Sequence, residues 1–253
     1  MAVSPATLSV VIPAHNEAGI VKRTVETLHA TLDGEGIDHE IVVVDDHSTD
    51  GTALVLKDLA ARIPPVKPVS NADTGGFGMA VRAGLRSFEG DAVAIFMADE
   101  SDHPEDLVRF WRMMQTSGAD CVFGTRFSGG GRTIDYPWLK LLFNRGANTW
   151  IRFLFGFRYD DTTNAFKLYR RHVVEGISPL LSKHFNLTVE MPLKAMIRGY
   201  SYTVVPNSWT NRSKGVSKFK VKEMGSRYTF IVFYCLLEKW LSRGDYRRPQ
   251  QAG

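Results

Sequence analysis

Three groups of residues carry side chains able to do chemistry. Asp45 and Asp46 close the β-branched run EIVVVDD (40–46). A carboxylate just beyond a buried strand can accept hydrogen bonds from a base or a ribose. Asp50, followed by Gly51 and Thr52, suits helix capping better, which leaves Asp46 as the ligand candidate. The second group is MADESDHPED (97–106), in which Asp99, Glu100 and Asp102 follow another apolar run. Carboxylates so close repel one another, and a hard divalent cation that also bridges phosphates would compensate them. Asp102 is also placed to cap the helix opened by Pro104, whereas Asp99 is not. The third group is the basic loop NRSKGVSKFK (211–220). There Arg212, Lys214 and Lys218 surround Gly215 and Ser217, a pattern suited to clamping phosphate oxygens.

The elements that must position these groups alternate in type. Strand patterns at 8–13, 40–46, 91–100 and in ADCVFGTRF, with a weaker one at VKPVSN, are separated by helical patterns at 17–32, 49–63, 78–88 and from Pro104 to Gly118. Such alternation predicts an α/β fold, a mostly parallel sheet with helices on both faces. Ligands of such sheets bind beyond the carboxyl ends of the strands. His15, Asn16, Glu17, Asp45, Asp46, Asp99, Glu100, Asp102 and Arg126 all fall there. The second half adds a loop at 128–133, helices at 138–157 and 188–199, the strand YSYTVVP and a final helix at 226–241.

Composition narrows the classes. The chain has 253 residues, 44% hydrophobic and 23% charged, enough for a sizeable core. Its aromatic content argues against a disordered chain. Two cysteines, Cys121 and Cys235, each in an apolar stretch, argue against a disulfide scaffold. No run approaches the roughly 18 uninterrupted apolar residues of a membrane-spanning helix. The opening residues lack a basic region followed by a long apolar core, so a cytoplasmic address is expected. The net charge of +4 is uneven: residues 198–253 hold eleven Lys/Arg against three Asp/Glu. A basic C-terminal quarter points to an anionic partner. Nucleic acid is not expected, because recognisable binding motifs are missing and the acidic strand ends would repel a polyanion. A nicotinamide enzyme is not expected either. The first strand ends in PAHNE without a glycine turn, and TGGFG (74–78) comes two strands late. Those glycines suit a tight turn and close helix packing.

VVIPAHNE, EIVVVDDHSTDGT, the glycine-opened helix, the acidic strand end and GTRF together resemble a family 2 glycosyltransferase of the GT-A fold. RGAN (145–148), DTTNAFKLYRR (161–171), Glu190–Met191 and VPNSWTNRSKGVSK (205–218) resemble the dolichyl- or polyprenyl-phosphate mannosyltransferases within it. The resemblance implies a transferase domain over 1–220 and a C-terminal amphipathic helix with a basic tail over 221–253. It implies that Pro13, His15, Glu17, Val44, Asp46 and Ala98 line the nucleotide-sugar pocket. Arg126, Arg212 and Lys218 would bind phosphate groups, and Asp99, Arg126 and Arg212 would be the catalytic groups. Arg145, Asp161 and Thr163 would lie on the acceptor side.

The sequence departs from the family's usual D-A-D-x-[QS]-H-P. Anchored on Ala98–Asp99, Met97 replaces the first Asp, and Asp99, Ser101 and Asp102 become the metal-site candidates. Anchored on His103–Pro104, Ala98, Glu100 and Asp102 align instead. The implied cofactor is Mg²⁺ or Mn²⁺. The implied reaction moves a hexose, most commonly mannose from GDP-mannose, to a polyprenyl phosphate, with UDP-glucose as another donor of the same framework. An ionised phosphate needs no general base, whereas a saccharide or protein hydroxyl does, with Asp161 or Glu190 as candidates. A catalytically silent nucleotide-sugar-binding adaptor is the other alternative, which Met97 keeps open. Aromatic residues with basic flanks in 138–157 and 226–241 suit helices lying on a membrane surface. A peripheral place at the cytoplasmic face is therefore expected, with a membrane-protein partner as a supplementary anchor.

Overall fold

The computed structural model describes residues 6–211 and 221–248. Its centre is a seven-stranded sheet. In chain order the strands are β1 (Leu8–Ala14), β2 (His39–Asp45), β3 (Val66–Ser70), β4 (Ala92–Ile95), β5 (Cys121–Thr125), β7 (Lys167–Arg170) and β8 (Tyr202–Pro206). Two short strands, β6 (Arg132–Ile134) and β9 (Ser208–Thr210), pair separately. The order across the main sheet is β3-β2-β1-β4-β7-β5-β8. Every pairing is parallel except those of β7, which runs antiparallel to β4 and β5.

Helices cover both faces because alternate residues along each strand point to opposite sides. Val10, Ile12, Ile41 and Val43 pack on one face with α1 (Val21–Gly34), α2 (Thr52–Arg62) and α4 (Pro104–Ser117). Val11, Val42, Val44 and Phe123 pack on the other with α3 (Phe77–Ser87), α5 (Trp138–Phe155), α6 (Arg171–Gly176), α7 (Leu187–Ile197) and α8 (Val221–Leu241). Cys121 and Cys235 are buried, unpaired thiols, as their apolar settings suggest.

The α/β alternation holds from β1 to β5. Two differences concern how the site is built. The strand expected over 91–100 stops at Ile95, and the acidic segment leaves the sheet as turns, with Glu100 at φ +60°. β7 is not legible as a strand. It is four residues long, begins with a lysine and ends in an arginine, so it shows neither apolar alternation nor an apolar run. Its reversed direction matters, because its first residues lie at the same sheet edge as the last residues of β1, β4 and β5.

The last helix has two faces. Ile231, Val232, Cys235 and Leu236 enter the core, whereas Phe230, Phe233, Leu237, Trp240 and Leu241 are exposed. It is fastened to the end of α7 by Arg198, which donates to both oxygens of Glu238 at 2.7 and 3.0 Å. Both partners are nearly fully buried. Removing the carboxylate by Glu238→Ala would leave the guanidinium buried without its counter-ion. Urea denaturation should then show a loss of roughly 3 kcal/mol; an unchanged midpoint would mean that α8 is held by apolar packing alone.

Candidate active site

A cavity of about 870 Å³ opens beyond the carboxyl ends of β1, β2, β4 and β5. The strand order reverses between β1 and β4, which is where open α/β sheets leave a crevice. Each strand end delivers polar groups to it. Pro13 lies at the end of β1 and His15, Asn16 and Glu17 follow it; Asp46 and His47 follow β2; Met97, Asp99, Ser101 and Asp102 follow β4; Arg126 follows β5. Thr163, Asn164 and Ala165 arrive from the start of the reversed β7.

On the β1–β2 side, Asp46 is buried and holds the glycine loop. It accepts from the Asn71 side chain at 2.7 Å and from the Gly76 amide at 2.8 Å. His15 Nδ1 lies 2.6 Å from the Asp46 carbonyl oxygen, so in the donating tautomer the ring is tied to the same residue. Asp50 accepts from the Thr52 amide at 3.1 Å and from its hydroxyl at 2.6 Å, a local turn contact just before α2, whose N-cap position is Gly51.

The acidic segment resolves the choice of register. Glu100 turns outward into an ion pair with the exposed Arg23, which removes it from the site. Asp102 does not cap α4; its Oδ2 reaches back to accept from the Met97 amide at 3.1 Å. It therefore sits beside the position that lacks a carboxylate. Burial, reinforced by the charge of Asp99, pushes Asp102 up to about 7, against the Met97 hydrogen bond and the charge of Arg126. Asp99 and Asp102 are thus a repelling pair of oxygen donors facing the cavity, of the kind a hard divalent cation takes. Among the described residues no third His, Cys, Asp or Glu joins them in a cluster. A bound cation would complete its shell with donors from outside this pair.

Arg126 forms the opposite wall. Its backbone amide and Nε both donate to Asp161 Oδ2, at 2.9 and 2.8 Å, and a terminal nitrogen donates to Oδ1 at 2.7 Å. Although burial opposes the guanidinium's charge, Asp161's field and hydrogen bonds together raise its pKa above the ordinary value. Asn148 on α5 donates to the Thr163 hydroxyl at 2.9 Å and accepts from its amide at 3.1 Å. Lys167 is fully buried and donates to the carbonyls of Thr162, Asn164 and Thr188. The Thr188 carbonyl is available because Pro192, four residues on within α7, has no N–H to give it.

Several expected site residues lie elsewhere. Val44 and Ala98 face the core and contribute no side chain to the cavity. Arg145 is exposed on α5, 5.6 Å from the Phe127 ring and outside the cavity wall. Asp161 stands behind Arg126 with no exposure, so it is an anchor and not a base. Glu190 is likewise sealed in a pair with Lys194. Arg212 and Lys218 lie outside the described residues. Conversely, Tyr136, Lys140, Asn144, Phe185, Thr188 and Tyr228 line the cavity without a motif that marks them, and Phe77 and Trp209, from the segments TGGFG and VPNSWTNRSKGVSK, line it without having been singled out there. Trp209 is brought in by the small β6–β9 sheet, whose three-residue strands carry no sequence signal.

This fold, with its switch-point cavity and paired acids, defines a GT-A glycosyltransferase. Glucosyl-3-phosphoglycerate synthase of Mycobacterium tuberculosis, in complex with Mn²⁺, UDP and its product, superposes over 92% of this chain and 80% of that one. The TM-score is 0.67 at 20% identity. A complex of that enzyme with Mg²⁺ and UDP gives 0.66 at 19%, over 92% of this chain and 79% of that one. Polyprenol monophosphomannose synthase of Mycolicibacterium smegmatis is 35% identical over 236 residues, 86% of each chain. Dolichol-phosphate mannosyltransferase of Pyrococcus furiosus is 30% identical over 238 residues, 92% of this chain and 64% of that longer one. Residues 9–178 match the family model described as glycosyl transferase family 2, and the chain belongs to that family.

The raised Asp102 carboxyl gives the site a testable signature in the absence of metal. Its unfolded pKa is about 3.9, so the folded form binds the proton more tightly. Its contribution to stability is therefore complete below about pH 4 and is lost as pH rises through about 7. Asp102→Asn, which mimics the protonated form, should raise the melting temperature by a few degrees at pH 8 in EDTA and by much less at pH 5. Equal shifts at both pH values would mean that Asp102 is ionised throughout.

Proposed function

We propose that this enzyme transfers a hexose, mannose from GDP-mannose, onto the phosphate of a polyprenyl phosphate at a membrane surface. The observation that carries the reading is the shared boundary of cavity and apolar surface. Tyr136, Lys140 and Asn144 at the start of α5, and Tyr228 on α8, line the cavity. The same two helices expose Trp138, Leu142, Phe143, Phe153, Phe230, Phe233, Leu237 and Trp240. Phe153 is 85% exposed and Trp138 71%, values that a water-facing surface does not favour. Lys140, Arg145, Arg152 and Lys239 lie among them, the pattern of helices seated at an anionic lipid interface. No helix among the described residues is long and apolar enough to cross a membrane, so these helices would lie along it. A membrane-protein partner would supplement that contact.

The names and extent of the relatives support mannose as the sugar and a polyprenyl phosphate as the acceptor. So does the fate of the two candidate bases. A hydroxyl acceptor needs a proton taken from it, yet Asp161 and Glu190 are each locked in a buried ion pair. A phosphate monoester, with a second pKa of about 6, arrives already ionised. Asp46 and His15 would hold the nucleoside end of the donor, and Arg126 would face the phosphate charge between donor and acceptor. Asp99 and Asp102 would hold a Mg²⁺ or Mn²⁺ ion. Such an ion, when bound, supplies neutralisation of the leaving diphosphate. The acceptor oxygen would attack the anomeric carbon from the face opposite the diphosphate, so the configuration inverts and the bonding pair leaves with the nucleotide.

Incubation of radiolabelled GDP-mannose or UDP-glucose with polyprenyl phosphate in detergent tests the reading. A mild-acid-labile labelled lipid should form with GDP-mannose and Mg²⁺ or Mn²⁺, and not with EDTA. Asp99→Ala should lower its rate at least about a hundredfold. Absence of lipid product with either donor would overturn the proposal. Independently, Phe153→Ser with Trp240→Ser should release the protein from anionic vesicles in a co-sedimentation assay. Unchanged sedimentation would show that these helices do not dock on lipid.

A further inference from the structure

Glu190 and Lys194, one turn apart in α7, form an ion pair of 2.7 Å with no exposure of either side chain. A sealed pair is costly to desolvate unless its remaining hydrogen-bonding capacity is used. Here it is used on one short stretch of backbone. Glu190 accepts from the Leu181 amide at 2.8 Å and, through its other oxygen, from the Ser182 amide at 2.7 Å. Lys194 donates to the Pro179 carbonyl at 2.5 Å.

The stretch so held presses on the start of α3. A Cβ on Gly76 would lie 2.6 Å from the Lys183 carbonyl oxygen, and one on Gly78 2.7 Å from that of Ser182, so this contact tolerates no side chain. The close approach brings the rings of Phe77 and Phe185 into a stack, with centroids 4.1 Å apart and planes 11° from parallel. The Phe185 carbonyl accepts from the Thr188 hydroxyl at 2.8 Å and the Tyr228 hydroxyl at 3.2 Å. Phe77, Phe185, Thr188 and Tyr228 all line the cavity, and Phe185 is 40% exposed at its mouth.

We propose that Glu190 is a positioning residue for the acceptor. Through residues 181–185 it fixes the Phe77–Phe185 stack as the apolar wall that receives the hydrocarbon nearest the acceptor phosphate. The proposal rests on the reading that the acceptor is a lipid phosphate. Neither carboxylate oxygen of Glu190 reaches the cavity, so its effect is exerted on the wall. The wall is apolar, lines the same cavity as Arg126 and is tied through the Phe185 carbonyl to Tyr228 of α8, the helix whose other face exposes Phe230 and Phe233, which is the side on which a chain leaving a phosphate toward a lipid surface would pass.

The test measures the KM for polyprenyl phosphate and, separately, the Kd for GDP by calorimetry. The variants are Glu190→Gln, Phe185→Ala and Phe185→Tyr. Because Glu190→Gln strands a buried lysine, the double variant Glu190→Gln/Lys194→Met, which removes both charges, is measured beside it. Phe185→Ala and a folded Glu190 variant should each raise the acceptor KM about tenfold, while the GDP constant stays within about twofold and Phe185→Tyr restores the acceptor KM. An unchanged acceptor KM in Phe185→Ala, or an equal rise in the GDP constant, overturns the proposal. Wild-type enzyme that makes no lipid product would remove the lipid reading and this proposal together. Active wild type with unaffected variants would remove only this proposal.

Discussion

The buried pair between Arg126 and Asp161 is the interaction on which the site depends. A buried guanidinium lining the cavity keeps its place only if its donors are held, and Asp161, with no exposure, accepts from two of its nitrogens and from the Arg126 backbone amide together. The pair also joins chain segments far apart in sequence, the end of β5 and the turn before β7. With that turn fixed, Thr163 and Asn164 reach the cavity, and Lys167 and Asn148 satisfy the backbone and hydroxyl groups around them. The reversed direction of β7 makes this possible, since it delivers the start of a strand to an edge otherwise built from strand ends.

Across the cavity the electrostatics run the other way. Asp99 and Asp102 face one another at a cost visible in the raised pKa of Asp102. Burial is the larger part of that cost, and the charge of Arg126, itself paired with Asp161, relieves it only in part. The two walls of the cavity therefore carry opposite charge.

The two-faced helices extend the same logic to the surface. α8 is anchored by apolar residues in the core, the buried Arg198–Glu238 pair and hydrogen bonds from Tyr228 and Lys239 to the Phe185 and Phe155 carbonyls, while its other face stays exposed. Tyr228 on α8 and Tyr136 just before α5 line the cavity, so the exposed apolar surface and the cavity lie a short run of side chains apart.

Much of this was legible in the chain alone. The alternating elements through β5, the ligand edge and the acids Asp46, Asp99 and Asp102 follow from local patterns of apolar periodicity and strand-end polarity. Those patterns are imposed within a few residues, so sequence carries them. Motif likeness carried Arg126 and Thr163 as well. It misassigned Val44 and Ala98, whose side chains point to the core, because a motif marks a position and not the direction in which a side chain faces. It also marked Asp161 as acceptor-facing, when the fold uses that residue to hold Arg126. The aromatic wall, the sealed Glu190–Lys194 pair and the rescue of the Thr188 carbonyl by Lys167 were decided by tertiary structure alone. The wall and the rescue join residues from separate elements, and the Glu190–Lys194 pair, though spaced one turn apart in α7, is sealed by the backbone of residues 179–182, so no spacing along one segment encodes which parts will meet.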